Sequence, residues 1–152
     1  MSHDFTIPYE VGFTAYSSKT VSESDVYLFA GISGDMNRVH LNDQYMKTTD
    51  IGQRVAHGML TFSIASAAET ELLNAKFQEM EDAGISYLSA GYEHVRFIKP
   101  VLFGDTLNTS YELISVDNET KKTVGHLTVA NQRGEVVLIG DHILKFFKKT
   151  KG

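Results

Sequence analysis

Apolar and polar positions change rhythm several times along this chain, and each change marks an element. Phe13 to Val21 (FTAYSSKTV) is rich in aromatic and β-branched residues and reads as a short strand. Val26, Phe29, Ala30 and Ser33 then recur at helical spacing. Ser22 with Asp25 three residues on is a capping box that starts this helix, and Gly34 stops it because glycine takes a turned backbone at little cost. Asn42 or Asp43 can cap one more short helix holding Tyr45 and Met46, and Thr48 to Ala56 reads as a polar loop. From Met59 to about Met80 neither Gly nor Pro interrupts, which predicts the long helix of the domain. Leu60, Ile64, Ala67 and Ala68 form its inward stripe, with Glu69, Glu71, Lys76 and Glu79 elsewhere, and its apolar first turn predicts a buried N-terminus.

After Gly84 the pattern turns to strands. Tyr87 to Ile98, Thr106 to Val116, Thr123 to Ala130 and Val136 to Phe147 are β-rich runs. Lys99-Pro100 with Gly104-Asp105, Asp117-Asn118-Glu119 and Asn131 to Gly134 separate them, and such short turns predict antiparallel hairpins. The fold class expected is α+β, one antiparallel sheet wrapped around one long central helix. One domain is expected over residues 1–152, with 148–152 a loose basic tail. A helix on one sheet face leaves the other face needing cover, and a homodimer would supply it.

Composition narrows the partners. The net charge of −5 argues against nucleic acid or an anionic membrane, though not against a phosphorylated small molecule held by a few local bases. A hydrophobic content of 42% is enough for a core, so disorder is not expected. There is no cysteine, hence no disulfide, thiolate metal site or Cys nucleophile. The N-terminus lacks a basic stretch leading into an apolar one, and no apolar run is long enough to span a bilayer, so a cytoplasmic protein is expected.

The chemistry concentrates between Ala30 and Leu60. Asp35, Asn37 and His40 fall in one short polar stretch just past a helix end, and His57-Gly58-Met59 opens the long helix. A carboxylate and an imidazole in one bend can hold a water between them, one taking a proton and the other giving it. Gly58 at a helix N-terminus adds an unpaired N–H favoured by the macrodipole, suited to a developing oxyanion.

The run Phe29-Ala30-Gly31-Ile32-Ser33-Gly34-Asp35-Met36-Asn37-Arg38-Val39-His40, followed by His57-Gly58-Met59, resembles the MaoC-like, R-specific enoyl-CoA hydratases. Arg96 to Val101 with Gly104-Asp105-Thr106 looks like the same family's strand and corner, and the resemblance extends from about Thr14 to Phe147. It implies a hot-dog fold, usually dimeric, that adds water reversibly to a trans-2-enoyl thioester on CoA or acyl carrier protein, as in fatty acid metabolism. It also implies Asp35 and His40 as the catalytic pair, Asn37 holding the loop and water, Gly58 N–H facing the thioester carbonyl, and Ser66 near the site. No cofactor and no metal are expected.

The family usually has proline where this chain has Arg38. Arginine loosens the backbone there and adds a cation, expected to contact an acidic group of the substrate or the CoA phosphates; pairing with Asp35 and a solvent-facing pose stay open. His57 is expected to fix the loop rather than to act as a third catalytic group. His94, His126 and His142 are read as structural, with His3 in the terminus. No Gly-x-Ser-x-Gly elbow supports a serine triad around Ser63 or Ser66, and no glycine fingerprint indicates a dinucleotide. Two other readings stand beside hydration. One is a hot-dog thioesterase using Glu69 or Glu71; the other is a non-catalytic acyl-thioester-binding subunit.

Overall fold

A computed structural model describes residues 5–150. His3 and Lys151, placed by sequence in loose termini, lie outside them. Five strands and five helices follow in the order β1 (Thr14–Thr20), α1 (Glu23–Ser33), α2 (Arg38–Leu41), α3 (Asp43–Met46), α4 (Gly58–Ala75), α5 (Phe77–Asp82), β2 (Ile85–Phe97), β3 (Thr106–Asp117), β4 (Lys122–Ala130) and β5 (Val136–Lys148). The strands form one antiparallel sheet in the order β1-β3-β4-β5-β2, and α4 packs on its concave face, the hot-dog arrangement. No helix among the described residues is long and apolar enough to cross a membrane.

Local chemistry explains most boundaries. The Ser22 hydroxyl accepts the Asp25 N–H while the Asp25 carboxylate accepts the Ser22 N–H, so the capping box is complete. Gly34 ends α1 at φ 76°, its N–H reaching back to the Ala30 carbonyl. The β3–β4 and β4–β5 connections are hairpins, the first held by Asp117, whose carboxylate accepts the N–H groups of Glu119 and Thr120.

Four expectations need correction. β2 does not pair with β3: the chain leaves β2 through Lys99-Pro100, and β2 lies antiparallel to β5 at the edge of the sheet. Proline cannot donate to a ladder, and the corner it starts is closed separately, by Asp105 accepting the Leu102 N–H and binding Gln132 and Arg133. The long helix is not continuous to Met80; it breaks at Lys76, where φ is −120°. The break lets α5 bury Met80 while Phe77 stays exposed, with no Gly or Pro to signal it. The inward stripe of α4 contains Glu69 rather than Ala67, because strands β2 and β5 supply partners for a buried carboxyl. The tail is not loose at its start: Lys148 belongs to β5 and donates to the Ala83 carbonyl, and Lys149 pairs with Glu81.

Alternation along the strands divides the sheet cleanly. In β4 and β5, Leu127, Val129, Leu138, Leu144 and Phe146 face α4 and are buried with Leu60, Ile64, Ala65, Ala68 and Leu72. Gly125 makes room for the Tyr111 ring, which would lie 2.1 Å from a Cβ added there. β2 carries two register shifts, after Ser89 and after Glu93. The second holds His94 at φ 53° and aims its ring at Asp141.

Candidate active site

Three short segments converge at the N-terminal end of α4. The first is the bend after α1. Asp35 follows the left-handed Gly34, and its carboxylate accepts the Asn37 N–H at 3.2 Å. Asn37 in turn accepts the Val39 N–H at 3.2 Å and so caps α2, a single turn that holds Arg38 and His40. The short polar stretch from Asp35 to His40 is thus partly helical, and this turn swings His40 back toward Asp35.

The second segment is Arg54 to His57. The Val55 carbonyl meets His40 Nδ1 at 2.8 Å. A carbonyl only accepts, so Nδ1 carries the hydrogen and the neutral ring presents a bare Nε2. That Nε2 lies 3.8 Å from Asp35 Oδ2. The imidazole is nearly buried and the carboxylate about half exposed, with side-chain exposures of 11% and 51%. A water about 2.8 Å from each atom fits between them. His57 donates Nε2–H to the Asp35 main-chain carbonyl at 2.9 Å and stacks on His40 with ring centroids 3.7 Å apart. Its Nδ1 is buried with no partner. His57 therefore fixes both the bend and the imidazole.

The third segment is the first turn of α4. His57 is its N-cap residue and Gly58 its first helical residue, a position whose N–H has no partner within the helix. Gly58 lies on the wall between two open cavities. One, of about 390 Å³, is lined by His40, Thr61, Phe97, Lys99, Val101 and others; the second, of about 540 Å³, is lined by Phe29, Ser33, Asp35, His57, Met59 and Phe97. A Cβ at Gly58 would stand 3.1 Å from the Phe97 ring, so glycine keeps this wall thin. A thioester carbonyl at the Gly58 N–H would find the imidazole bordering one cavity and the carboxylate bordering the other.

Other sequence candidates fall differently. Arg38 is exposed, lies over the Tyr45 ring at 4.4 Å and makes no ion pair among the described residues, so it is not paired with Asp35. The Ser66 hydroxyl donates to the Ser63 carbonyl within α4 and borders neither cavity. Glu71 is exposed. Glu69 is buried away from both cavities, where its Oε2 accepts from Tyr92 at 2.8 Å and lies 3.4 Å from His142 Nδ1. Burial pushes the Glu69 carboxyl up to about 7, against the pull of the Tyr92 hydrogen bond, and the same burial pushes the His142 imidazole down to about 4. Phe97 and the Val55 carbonyl were missed by sequence reasoning. Phe97 follows Arg96 in a motif that was noticed, but a main-chain acceptor leaves no residue-type signal.

Comparison with known proteins gives the family and the fold. The family model described as "MaoC like domain" matches residues 9–135. The chain is 36% identical over 130 residues to an (R)-specific enoyl-CoA hydratase of Rhodospirillum rubrum, covering 86% of this chain and 83% of that protein. It is 33% identical over 142 residues to a 3-hydroxybutyryl-CoA dehydratase of Methylorubrum extorquens, covering 93% of this chain and 83% of the other. Among solved structures, an R-hydratase from Pseudomonas aeruginosa superimposes with a TM-score of 0.71 at 30% identity, covering 95% of this chain and 88% of that one.

Proposed function

The chain belongs to the MaoC-like domain family, and on that premise we propose that it reversibly hydrates trans-2-enoyl-CoA to (R)-3-hydroxyacyl-CoA. The observation that carries the reading is the approach of His40 Nε2 to Asp35 Oδ2, 3.8 Å apart, beside a helix-terminal glycine N–H. In the forward direction, the water oxygen bonds C3 as one of its protons leaves for the Asp35–His40 pair. The C2–C3 π electrons pass into the thioester, whose oxygen becomes an enolate facing the Gly58 N–H. A proton held by the pair then goes to C2, which completes the addition. His40 is suited to the first transfer because its Nδ1–H is fixed on Val55 and its second nitrogen is bare.

Asn37 supports the pair through the bend rather than by contact with the reacting atoms. Arg38, exposed two residues before His40 and with no acidic partner among the described residues, suits an acidic group of the substrate, including the phosphates of CoA. Ser66 is left with a helix-packing part unless substrate draws its hydroxyl away. We read residues 1–152 as one such domain, cytoplasmic, and paired in a homodimer. The exposed apolar side chains of the edge strand β2, Leu88 and Phe97, are the feature that calls for a second copy.

The test follows crotonyl-CoA at the enoyl absorbance with a thiol reagent in parallel. Loss of absorbance without thiol release is the expected result. Thiol release would favour a thioesterase, and binding with neither signal would favour a non-catalytic subunit. Arg38→Pro should raise KM for CoA thioesters; unchanged kinetics with every acyl-CoA would remove Arg38 from the site.

A further inference from the structure

We infer that His94, tethered to Asp141 on the outer face of the sheet, is a positioning residue for the candidate site. It holds the second bulge of β2, and that bulge places Phe97 on the wall between the two cavities. The register shows the dependence. Before the bulge, Tyr92 stands opposite the buried His142 and Glu93 opposite Asp141; after it, Arg96 stands opposite Ile139 and Phe97 opposite the buried Leu138. His94 and Val95 are thus set against Gly140 alone. Tyr92 and Phe97 are an odd number of positions apart, so in a regular strand they would point to opposite faces. The extra residue turns Phe97 back to the α4 side, where its ring lies 3.1 Å from the Cβ position of Gly58. Without it, Phe97 would face away from both cavities and Arg96 would face the core.

Two features keep the bulge in place. Gly140 leaves room for Val95, whose Cγ2 would stand 3.1 Å from a Cβ added there. His94 takes φ 53°, a left-handed backbone that is unfavourable for a residue with a Cβ. Its side chain offsets that strain: Nδ1–H donates to Asp141 Oδ2 at 2.8 Å, while Asp141 Oδ1 accepts from His126 Nδ1 at 2.6 Å. One carboxylate therefore ties β2 and β4 to β5. Partial burial works to raise the Asp141 carboxyl, but the hydrogen bonds from His126 and His94 hold it below its ordinary value, so the acceptor is ionised at neutral pH and the tether is charge-assisted. Neither imidazole borders a cavity, so His94 acts only through the bulge. A full slip of the strand would bury Arg96 without a partner, so loss of the tether loosens the wall locally instead of re-registering β2. The effect on substrate rests on the hydratase reading; the placement of Phe97 does not.

The chain has no tryptophan, so Phe97→Trp puts a single fluorophore on the wall. In that background His94→Ala and His94→Gly should each shift the emission to longer wavelength and increase quenching by acrylamide. The fold should be kept, since the His94 side chain is 73% exposed. With Phe97 in place, the same two changes should raise KM for crotonyl-CoA at least about threefold and leave kcat within about twofold. His94→Asn tolerates positive φ and keeps an N–H donor, so it should recover part of the loss. Combining His94→Ala with Asp141→Asn should do no more than the stronger single change, because both break one tether; additive effects would overturn the pairing. His94→Gly separates the tether from the backbone, since glycine takes φ 53° without strain. Wild-type KM in that variant would overturn the positioning role. If the chain did not hydrate crotonyl-CoA at all, the fluorescence would still decide: unchanged emission and quenching in His94→Ala and His94→Gly would overturn the placement of Phe97 by the tether.

Discussion

Substituting Glu69 by Gln should change how stability depends on pH while leaving stability at acid pH nearly untouched. Glu69 and His142 are both buried, and their nearest atoms are 3.4 Å apart. That distance would suit an ion pair, yet burial moves both groups toward their neutral forms, because desolvating two charges costs more here than their attraction returns. The Glu69 carboxyl rises from 4.5 to about 7, which at about 1.4 kcal/mol per pH unit corresponds to about 3 kcal/mol. Its folded value lies above its unfolded one. Its contribution to stability is therefore fully present below 4.5, falls as the pH rises, and is lost above about 7. The His142 imidazole drops from 6.5 to about 4, so its contribution is fully present above 6.5 and is lost as the pH falls through about 4.

Between 4.5 and 6.5 the two slopes oppose each other at similar steepness, and the wild-type contribution of this pair is nearly flat. Both groups are uncharged across that window, so coupling between them is weak. Glu69→Gln keeps the size of the side chain and a partner for Tyr92 but removes the falling slope. The assay is urea unfolding of both proteins at several pH values in the window. The stability of the variant relative to wild type should rise by about 2 kcal/mol from the acid to the neutral end. His142→Gln should show the opposite trend. A constant difference between Glu69→Gln and wild type across the window would refute the claim that burial holds this carboxyl neutral.

Asp35→Asn and His40→Gln should each lower kcat for crotonyl-CoA by about 10²–10⁴ while circular dichroism is unchanged; near wild-type turnover in either would end the proposed acid–base pair. Gly58→Ala presses on the exposed Phe97 ring at 3.1 Å, so KM should rise with little change in melting temperature, and adding Phe97→Leu should restore it. Gly125→Ala places a methyl 2.1 Å from the fully buried Tyr111 ring and should destabilise by about 3 kcal/mol or more in denaturant melts. Arg54→Met should lower kcat more than it raises KM, with Arg54→Lys recovering part of the loss; equal kinetics for all three would show that the loop holds its shape without the guanidinium.

The elements were legible where local chemistry fixes them. Ser22, Gly34, Asn42 and Asp117 each act within a few residues of their own position, and the bounds they implied stand. What was not legible depends on distant chain. The place of β2 beside β5 is a pairing between residues about fifty positions apart, such as Tyr92 with His142, and nothing in the Lys99 to Asp105 corner announces it. Glu69 looked like a solvent-facing residue because its partners, Tyr92 and His142, come from strands β2 and β5, which are far from it and from each other in sequence and meet only in the fold. The break at Lys76 is a packing decision made by Met80. The candidate site divides in the same way. Its side chains were readable as residue types at a spacing, whereas the groups that aim them, the Val55 and Asp35 carbonyls, are main-chain atoms that any residue would carry.

Aiming by main chain makes the segment 54–57 as important to the proposed chemistry as the bend that carries Asp35 and His40. Val55 accepts from His40 Nδ1 and donates its N–H to Val39, while Ala56 donates to Val101. His57 then closes on Asp35, so a shift of this strip moves both members of the pair at once. Arg54 is what ties the strip to the helices. Its guanidinium meets Asp43 of α3 at 2.7 Å and Glu23 and Tyr27 of α1 at 2.5 and 3.0 Å, and it lies over Phe103 at 4.7 Å. With only 11% of its side chain exposed, it is held more firmly than an ordinary surface ion pair. α1 leads directly into Asp35 and α3 follows His40, so this one cation links the supports of both groups. The family's proline would stiffen the bend from within; with Arg38 in its place, the bend takes its rigidity from outside, through Arg54 and His57.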